Sequence, residues 1–411
     1  MRILQINTIR AITATGRISE DIEANILNAG GESYIAFGRN RCDNNTYRIP
    51  VGDRWDMYVH GISSLLGDNH GLASVKATLR LLREIDRINP DIIHLHNIHG
   101  YFIHYPVLFD YLKRKNYPVV WTLHDCWTFT GHCAFYEQIG CTKWQTGSYD
   151  CPQLRTYPAS FFKDQSKRNW ELKRNSFLQL NHLTLVPVSR WLSKELENSF
   201  FSGQSVRCIT NGIDLSKFYR DIPLNGELDF PYVIGVAYPW TRRKGLADFL
   251  KLAEILPVNT KIILIGLSVR QQIGLPSSII GFKRIKSRDR LRQLYSKALA
   301  LVNLTYEDTF PTVNLEALAC GTPVITYNSG GSPESVCKET GVVIPKGRYD
   351  MIGGALDMLN QTDREILANK CRKRAEEHYN HKKQFDQYID LYKELLKEHK
   401  HENIHHNGMQ E

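Results

Sequence analysis

The stretch from Ala300 to Val324 alternates an apolar run, a polar turn and a helical pattern. It begins with Ala-Leu-Val-Asn-Leu304 and, two residues later, reads Glu307-Asp-Thr-Phe-Pro-Thr-Val-Asn-Leu-Glu-Ala-Leu-Ala-Cys-Gly-Thr-Pro-Val324. This spacing predicts a strand over 300–304, a helix that opens near Thr312 and a second strand from Thr322. A strand, a helix and another strand in succession are typical of α/β folds with parallel sheets.

Similar apolar runs recur along the chain in two series, with helical patterns between most of them. The first series lies at 3–7, 33–37, 92–95, 119–123, 183–188 and 206–209. The second lies at 232–236, 261–265, 278–280, 300–304, 322–325 and 341–344. Continuous apolar runs favour strands buried on both faces. We therefore predict two doubly wound domains, 1–220 and 221–380, joined near the turn-rich segment 221–228, with a terminal helix and frayed tail over 381–411.

Composition excludes global disorder and favours a protein with packed cores. The chain has 411 residues, of which 42% are hydrophobic and 23% charged,. We see no signal-peptide pattern and nothing near the roughly 18 consecutive apolar residues of a membrane helix. With nine cysteines and no such signal, we expect reduced thiols and a cytoplasmic location,. The net charge of +9 suits a nucleotide, an anionic lipid surface or a nucleic acid,.

The helix predicted to open near Thr312 is a candidate phosphate site. Backbone N–H groups at a helix start are free to donate, and the helix dipole adds positive potential there. Asp308 and Glu316 bracket this turn, and carboxylates suit sugar hydroxyls better than they suit a phosphate. An alternative is that Asp308 and Phe310 only form an N-terminal cap and a hydrophobic staple.

A second candidate is the cationic turn Tyr238-Pro-Trp-Thr-Arg-Arg-Lys-Gly245, which follows a strand and opens a helix. Cations are disfavoured near a helix N-terminus, so a bound diphosphate would compensate for Arg242, Arg243 and Lys244. An exposed charged loop is the alternative. Neither a Gly-x-Gly-x-x-Gly nor a P-loop pattern is present, so the usual nucleotide fingerprints do not apply.

Histidines are concentrated in the first half of the chain. Nine of them occur up to His182, and none lies between Leu183 and Glu377. If an imidazole touches a reacting sugar, the first domain must supply it, with His94, His96 and His124 at predicted strand ends as candidates. His94 and His96 could instead be core residues. Cys126, Cys133, Cys141 and Cys151 crowd one stretch with His132, at spacings loose for zinc.

These segments together resemble the retaining glycosyltransferases of family 4, which have the GT-B fold. Asn211-Gly-Ile-Asp214 with Phe218, Leu315-Glu-Ala-Leu-Ala-Cys-Gly-Thr-Pro-Val324 and Gly330-Gly-Ser-Pro-Glu334 are similar to that family's motifs. Thr15-Gly-Arg-Ile18, His94-Leu-His-Asn97 and the stretch from Thr122 to Pro152 are similar to a bacterial exopolysaccharide subgroup of colanic-acid type. The resemblance implies two Rossmann-like domains facing each other across a cleft. The C-terminal helices would pack back toward the first domain.

The resemblance also implies a role for each motif. Asp308 occupies the place of the first acid, normally Glu, and contacts the donor sugar; Glu307 lies one residue out. Glu316 holds the ribose hydroxyls, and Lys244 holds the diphosphate together with Arg242 or Arg243, because Pro239 stands where the family has its arginine. His124 reaches the reacting sugar. The remaining residues implied at the donor site are Gly16, Phe310, Pro311, Thr312 and Val313.

The implied function is a metal-independent, retaining transfer of a hexosyl group. The donor would be a UDP- or GDP-sugar, the acceptor a growing lipid-linked surface polysaccharide, and no cofactor or nucleic acid would take part. The basic segment 163–174, with Phe161, Phe162 and Trp170, could touch an anionic membrane at the inner face of the cell membrane or form a solvated helix face. The alternatives are a nucleotide-sugar epimerase of GT-B fold and a non-catalytic glycan- or nucleotide-binding protein.

Overall fold

The computed structural model describes residues 1–10, 13–39, 47–223 and 228–407. The chain divides into two compact units. The first unit comprises Met1–Ile209 and Phe385–Glu411, and the second comprises Thr210–Gln384.

The first unit is built on a seven-stranded parallel sheet with the order β3-β2-β1-β4-β5-β6-β7. Its strands are short apolar runs, and β4 and β5 are buried along their whole length. The predicted runs are confirmed, although the strand expected at 206–209 lies at 205–206, and β3 was not predicted. The strands are β1 (Arg2–Ile9), β2 (Glu32–Arg39), β3 (Arg48–Pro50), β4 (Ile92–Leu95), β5 (Val119–Leu123), β6 (Leu183–Pro187) and β7 (Ser205–Val206).

Helices connect these strands as parallel pairing requires. In α3, Leu81, Leu82, Ile85 and Ile88 face the core, whereas Leu79 is exposed. The helices of this unit are α1 (Ala14–Asn28), α2 (Arg54–Gly67), α3 (Val75–Ile88), α4 (Tyr105–Lys115), α5 (Ser166–Phe177) and α6 (Arg190–Glu197).

The second unit contains a six-stranded parallel sheet with the order β10-β9-β8-β11-β12-β13. Its strands are β8 (Tyr232–Val236), β9 (Lys261–Ile265), β10 (Ile279–Phe282), β11 (Leu301–Asn303), β12 (Val324–Tyr327) and β13 (Gly341–Ile344). Its helices are α7 (Leu246–Ile255), α8 (Val269–Gln272), α9 (Arg288–Lys297), α10 (Thr312–Ala319), α11 (Ile352–Asn360) and α12 (Arg364–His378). This is the second doubly wound domain that the sequence predicts.

The last helix, α13 (His381–Asn407), returns the chain to the first unit. Its apolar stripe packs into the core formed by Ile3, Ile22 and Val186, as the C-terminal helix was expected to do. The stripe consists of Phe385, Tyr388, Ile389, Leu391 and Tyr392, with Leu395 and Leu396 packed alongside. Of the terminal helix and frayed tail expected over 381–411, the helix extends to Asn407, and residues 408–411 lie outside the described chain.

The second unit begins at Thr210, whereas the sequence predicted that the boundary between the domains lies after residue 220. Asn211 Nδ2 donates to the Phe310 carbonyl at 3.1 Å, and the Ile213 amide donates to the Tyr379 carbonyl at 2.7 Å. These bonds attach residues 210–220 to the second unit. The Asp221 amide donates to Ser296 Oγ of the same unit, and residues 224–227 of the predicted joint lie outside the described chain.

Candidate active site

The second unit brings its charged residues together where the strand order reverses. Strands β8 and β11 are neighbours, paired at Ile234 and Leu301, and the chain proceeds outward from them in opposite directions. The carboxyl ends of two such strands leave a crevice in which open α/β sheets bind ligands. Residues 237–245 follow β8, and residues 304–312 follow β11.

Gly245 allows these two segments to approach closely. It has φ +75°, and a Cβ atom there would lie 2.1 Å from the Leu304 carbonyl oxygen. No other residue fits without displacing the backbone. The approach is secured by the Tyr306 amide, which donates to the Arg243 carbonyl at 2.8 Å. The cationic turn is thereby held against the end of β11.

Lys244 and Asp308 form an ion pair in this crevice. Lys244 Nζ lies 2.5 Å from Asp308 Oδ2, and both side chains are mostly buried. Burial raises the pKa of Asp308, but Lys244 and Arg243 outweigh that effect and hold it below its ordinary value. Burial lowers the pKa of Lys244 and Arg243 adds to this, and the attraction of Asp308 offsets only part of it. The pair places a largely buried cation beside a carboxylate at the end of the sheet.

Helix α10 begins four residues after Asp308, and its first turn has no side-chain cap. The expected capping role of Asp308 is therefore wrong: the N-cap residue is Pro311, and the Asp308 carboxylate accepts from the Phe310 amide and pairs with Lys244. Thr312 and Val313 lie in the first turn, where amides have no partner within the helix.

The position of α10 is fixed by a buried amide that the sequence analysis did not identify. Asn314 Oδ1 accepts from Asn303 Nδ2 at 2.9 Å, and Asn314 Nδ2 donates to Ser335 Oγ at 2.8 Å. Asn314 thus links the first turn of α10 to β11 and to the segment 332–335. Its only sequence signal was its place within the motif from Glu307 to Val324.

Glu316 lies one helical turn beyond Thr312 and is largely buried. Its Oε2 accepts from the Tyr295 hydroxyl at 2.9 Å, so α9 orients this carboxylate. Tyr295 was not predicted, because no local pattern links α9 to α10. Phe310 is a buried residue that packs its ring against Tyr379, with centroids 5.9 Å apart.

The structure distinguishes the two arginines. Arg243 Nη1 donates to the Glu307 carbonyl at 2.6 Å, whereas Arg242 is exposed. Glu307 is almost completely buried, and the charge of its carboxylate partly opposes the net lowering of the Lys244 pKa. Arg243 is therefore the arginine that lies at the cluster of Lys244 and Asp308.

In the first unit, His124 follows β5 and belongs to a chain of neutral hydrogen bonds. Its Nε2 lies 3.1 Å from His96 Nδ1, and His96 Nε2 lies 3.0 Å from Gln5 Oε1. Burial lowers the pKa of His124 to about 4, although Asp125 opposes the shift. His94 is a core residue, since Tyr392 and Thr122 bond its two ring nitrogens. His96 therefore supports His124, and His94 anchors α13.

A second pair lies beside His124. His99 Nε2 contacts Asp125 Oδ2 at 2.7 Å, and His99 Nδ1 lies 3.0 Å from the Tyr157 hydroxyl. The Trp127 amide donates to Asp125 Oδ1 at 3.0 Å. Burial raises the pKa of Asp125, but His99 and these bonds hold it below its ordinary value. The pairing of His99 with Asp125 was not predicted from the sequence.

Gly16 lies in the first turn of α1 and not in an open loop. Its amide donates to Thr13 Oγ1 at 3.2 Å, and its carbonyl accepts from Ser19 Oγ at 2.8 Å. The motif Thr15-Gly-Arg-Ile18 is thus part of a capped helix. The predicted contact of Gly16 with a diphosphate stays a prediction.

The basic segment 163–174 is not exposed throughout, contrary to the expectation of one basic face. Lys173 is buried, and its Nζ donates to the carbonyls of Trp127 and Thr130 at 2.6 and 2.9 Å. Burial lowers the pKa of Lys173 to about 7. Trp170 is also buried. Phe161, Phe162, Lys163 and Lys167 are exposed.

His132 and the neighbouring cysteines form no metal centre in the described residues. There, no group of three or more His, Cys, Asp or Glu side chains has the arrangement of a metal site. His132 Nδ1 instead contacts Asp68 Oδ1 at 2.6 Å. None of the eight described cysteines forms a disulfide. Among the described helices, none combines the length and apolarity needed to cross a bilayer.

Each of the two units matches the model of a known protein family. Residues 42–217 match the model described as Glycosyltransferase Family 4, and residues 231–378 match the model described as Glycosyl transferases group 1.

Two relatives are named as polysaccharide enzymes. The chain is 26% identical to the colanic acid biosynthesis glycosyl transferase WcaC of Escherichia coli, over 77% of this chain and 79% of the relative. It is 27% identical to the capsular polysaccharide biosynthesis glycosyltransferase CapM of Staphylococcus aureus, over 46% of this chain and 54% of the relative.

Solved structures share the fold. The sucrose-phosphate synthase of Thermosynechococcus elongatus has a TM-score of 0.70 at 17% identity, covering 96% of this chain and 98% of that one. Anabaena HepE in complex with UDP-glucose has a TM-score of 0.65 at 14% identity, covering 96% of this chain and 100% of that one. With one unit in each family model and both in the GT-B fold, the chain belongs to the glycosyltransferases that join a family 4 domain to a group 1 domain.

Proposed function

We propose that the chain is a metal-independent, retaining glycosyltransferase that moves a hexosyl group from a nucleotide-diphospho-sugar to a growing, lipid-linked surface polysaccharide. The observation that carries this proposal is the Lys244–Asp308 pair at the carboxyl ends of β8 and β11. It sets a buried cation beside the uncapped start of α10.

This arrangement suits a departing nucleoside diphosphate. As the bond from sugar to phosphate breaks, negative charge develops on the distal phosphate. Lys244, Arg243 and the amides of Thr312 and Val313 are preorganised donors for that charge. Lys244 donates to the Asp308 carboxylate, so an incoming phosphate would compete with that carboxylate for Lys244. Once displaced, the Asp308 carboxylate could accept a hydrogen bond from a sugar hydroxyl.

The proposed transfer needs no covalent intermediate on the protein. The bond from C1 to the diphosphate oxygen breaks, and its electron pair leaves with the nucleoside diphosphate. The acceptor hydroxyl oxygen bonds to C1 on the same face, and its proton passes to the departing diphosphate. In this proposal Glu316 binds the ribose and His124 contacts the transferred sugar as a neutral imidazole, consistent with its lowered pKa.

The relatives support the choice of substrates. WcaC and CapM are named for colanic acid and capsular polysaccharide biosynthesis, and HepE was solved with UDP-glucose. We therefore propose a UDP- or GDP-sugar donor, a polysaccharide acceptor on a lipid carrier and a cytoplasmic site of action at the membrane.

A thermal-shift screen of UDP- and GDP-sugars is the first test, because a bound donor stabilises the folded protein by mass action. The stabilising donor is then incubated alone and with a lipid-linked glycan. Release of nucleoside diphosphate only with the acceptor, and a product whose anomeric proton coupling in NMR matches the donor's, supports the proposal.

Interconversion of the donor sugar without acceptor would identify an epimerase instead. A product of inverted configuration would overturn the retaining mechanism. Donor binding without any turnover would indicate a non-catalytic binding protein.

A further inference from the structure

The exposed face of α2 is apolar, which is the reverse of the usual arrangement in a helix packed on a domain. The residues that α2 buries are His60 and Ser64. Apart from Arg54 at the first position, its exposed residues are apolar and follow the spacing i, i+3, i+4, i+7 and i+11, which aligns them on one side of a helix,. We call them the α2 stripe: Trp55 (78% exposed), Tyr58 (61%), Val59 (61%), Ile62 (55%) and Leu66 (51%).

Two further aromatic residues extend the α2 stripe. Phe161 is 54% exposed and Phe162 is 76% exposed, and the Phe161 amide donates to the Leu65 carbonyl of α2 at 2.8 Å. The same loop is tied to the end of α2, because Asp68 Oδ2 accepts from the Gln165 amide at 2.9 Å. The apolar surface is thus a built feature of two joined segments and not a set of isolated side chains.

Cations adjoin this surface. Helix α3 presents exposed basic residues at the spacing i, i+4, i+7 and i+11: Lys76, Arg80, Arg83 and Arg87. Arg80 joins this face to α2 through Asp56 at 2.8 Å. Lys163, which directly follows Phe162 in the loop joined to α2, is also exposed. Arg80, Arg83 and Arg87 also line, with Arg48, a cavity of about 620 Å³.

Acidic residues near the stripe are mostly engaged. Glu84 pairs with Arg87 at 2.8 Å, and Asp86 pairs with Lys115 at 2.6 Å. The Asp164 carboxylate accepts from the amides of Cys151 and Ser166. Asp53 caps α2 and remains exposed. The surroundings of the stripe are therefore predominantly cationic.

We infer that the α2 stripe with Phe161 and Phe162 docks the first unit onto an anionic lipid bilayer. Trp and Tyr prefer the interface between headgroups and acyl chains, and cations beside an apolar helix face attract anionic headgroups. A second copy of the chain fits less well, because a two-fold interface would set the basic face of α3 against itself. The inference deepens the proposed lipid-linked acceptor by placing the enzyme at the surface that carries it.

Vesicle sedimentation tests the inference without any sugar, so its outcome is independent of the proposed function. The full chain is pelleted with vesicles of phosphatidylglycerol and phosphatidylcholine, and with phosphatidylcholine alone. We expect binding to the anionic vesicles that weakens with added salt. The triple variant Trp55→Ser, Ile62→Ser, Leu66→Ser should bind at least about tenfold more weakly, since three apolar side chains no longer leave water.

A matched control removes three exposed apolar residues from the second unit: Val258→Ser, Val269→Ser and Ile273→Ser, whose side chains are 97%, 62% and 77% exposed. It should bind anionic vesicles like the parent chain. For charge, Lys76→Gln with Arg83→Gln should weaken binding several-fold, and Lys370→Gln with Lys373→Gln in the second unit should not. Circular dichroism checks that each variant is folded.

Tryptophan fluorescence gives a second readout at the stripe itself. Trp55 is exposed, whereas Trp121 and Trp127 are buried. Brominated lipids should quench emission of the parent chain, and Trp55→Phe should remove most of that quenching.

The inference is overturned if the parent chain does not pellet with anionic vesicles, or if the triple variant pellets equally well. A dimer that dissociates in the triple variant, seen by sedimentation velocity without vesicle binding, would assign the stripe to a second copy instead.

Discussion

The two units place chemically different groups at the same topological position. In both, candidate site residues follow the carboxyl ends of central parallel strands. In the first unit these are imidazoles held neutral by burial, with His124 bonded through His96 to Gln5. In the second unit they are ionised, with Lys244 and Arg243 around Asp308. Open α/β sheets bind ligands at the carboxyl ends of their strands, and the residues after those strands determine which chemical groups each unit is suited to bind.

This difference separates two tasks in the proposed reaction. A cationic cluster stabilises charge that develops on phosphate, whereas neutral imidazoles donate and accept hydrogen bonds without opposing the positive charge that builds at the sugar carbon. Each prediction below changes one side of this comparison.

The largest effect is expected from Lys244→Ala. Loss of a single preorganised donor to a developing oxyanion typically lowers turnover by about 10²–10³-fold. Steady-state release of nucleoside diphosphate measures it, and Arg242→Ala, which removes an exposed neighbouring cation, should change turnover less than about twofold. Equal losses in both variants would mean that only the net charge of the turn matters.

Glu316→Ala should raise the KM for the donor by about tenfold or more, because a carboxylate that accepts from hydroxyls contributes roughly 1.5–3 kcal/mol. Tyr295→Phe removes only the hydroxyl that orients this carboxylate, so we expect a smaller rise. Initial rates against donor concentration measure both. A larger effect of Tyr295→Phe would show that Glu316 is a structural residue.

Acid should destabilise the first unit before the second. Burial lowers the pKa of His94 and His60 to about 3 and that of His124 to about 4. Below pH about 6.5 these histidines are protonated in the unfolded chain but stay neutral in the folded protein. The free energy of unfolding therefore falls as the pH decreases toward the pKa values of the folded state.

At pH 5 each such histidine contributes a loss of about 2 kcal/mol. Hydrogen exchange of each unit, measured at pH 7 and 5 by mass spectrometry, reports the difference. The second unit, with no histidine between 183 and 377, should change less; equal losses would contradict the assignment.

Gly245→Ala should lower turnover less than Lys244→Ala does, because it displaces the cationic turn without removing its charge. A residue with a side chain at φ +75° costs about 1–2 kcal/mol, and here its Cβ also meets the Leu304 carbonyl,. Thermal unfolding of the second unit should shift downward, and turnover should fall because Lys244 moves with the turn. Gly353→Ala, whose Cβ meets nothing within 4 Å, is the control.

The sequence predicted the sheets well because their strands are continuous apolar runs, a signal that does not depend on neighbours. It located Lys244 and Asp308, since each lies in a turn that follows a strand, and Glu316, since it lies in the helix that follows the second of these turns. It did not predict that Lys244 pairs with Asp308, because 64 residues separate them and only the pairing of β8 with β11 brings them together. The same limit hid Tyr295 and the pairing of His99 with Asp125. The basic face predicted over 163–174 is present only in part: Lys163 and Lys167 are exposed, but Lys173 is buried, because charge alone does not reveal burial.

The return of α13 to the first unit has a consequence for how this enzyme can be dissected. A chain that stops before Phe385 would keep the whole second unit but would remove from the first unit Tyr388 and Tyr392, which lie beside Ile3 and Ile22 in its core. Expression of residues 1–209 alone should therefore yield an unstable fragment, whereas supplying the C-terminal helix in trans should rescue it. The N-terminal half of the gene does not by itself encode the N-terminal domain.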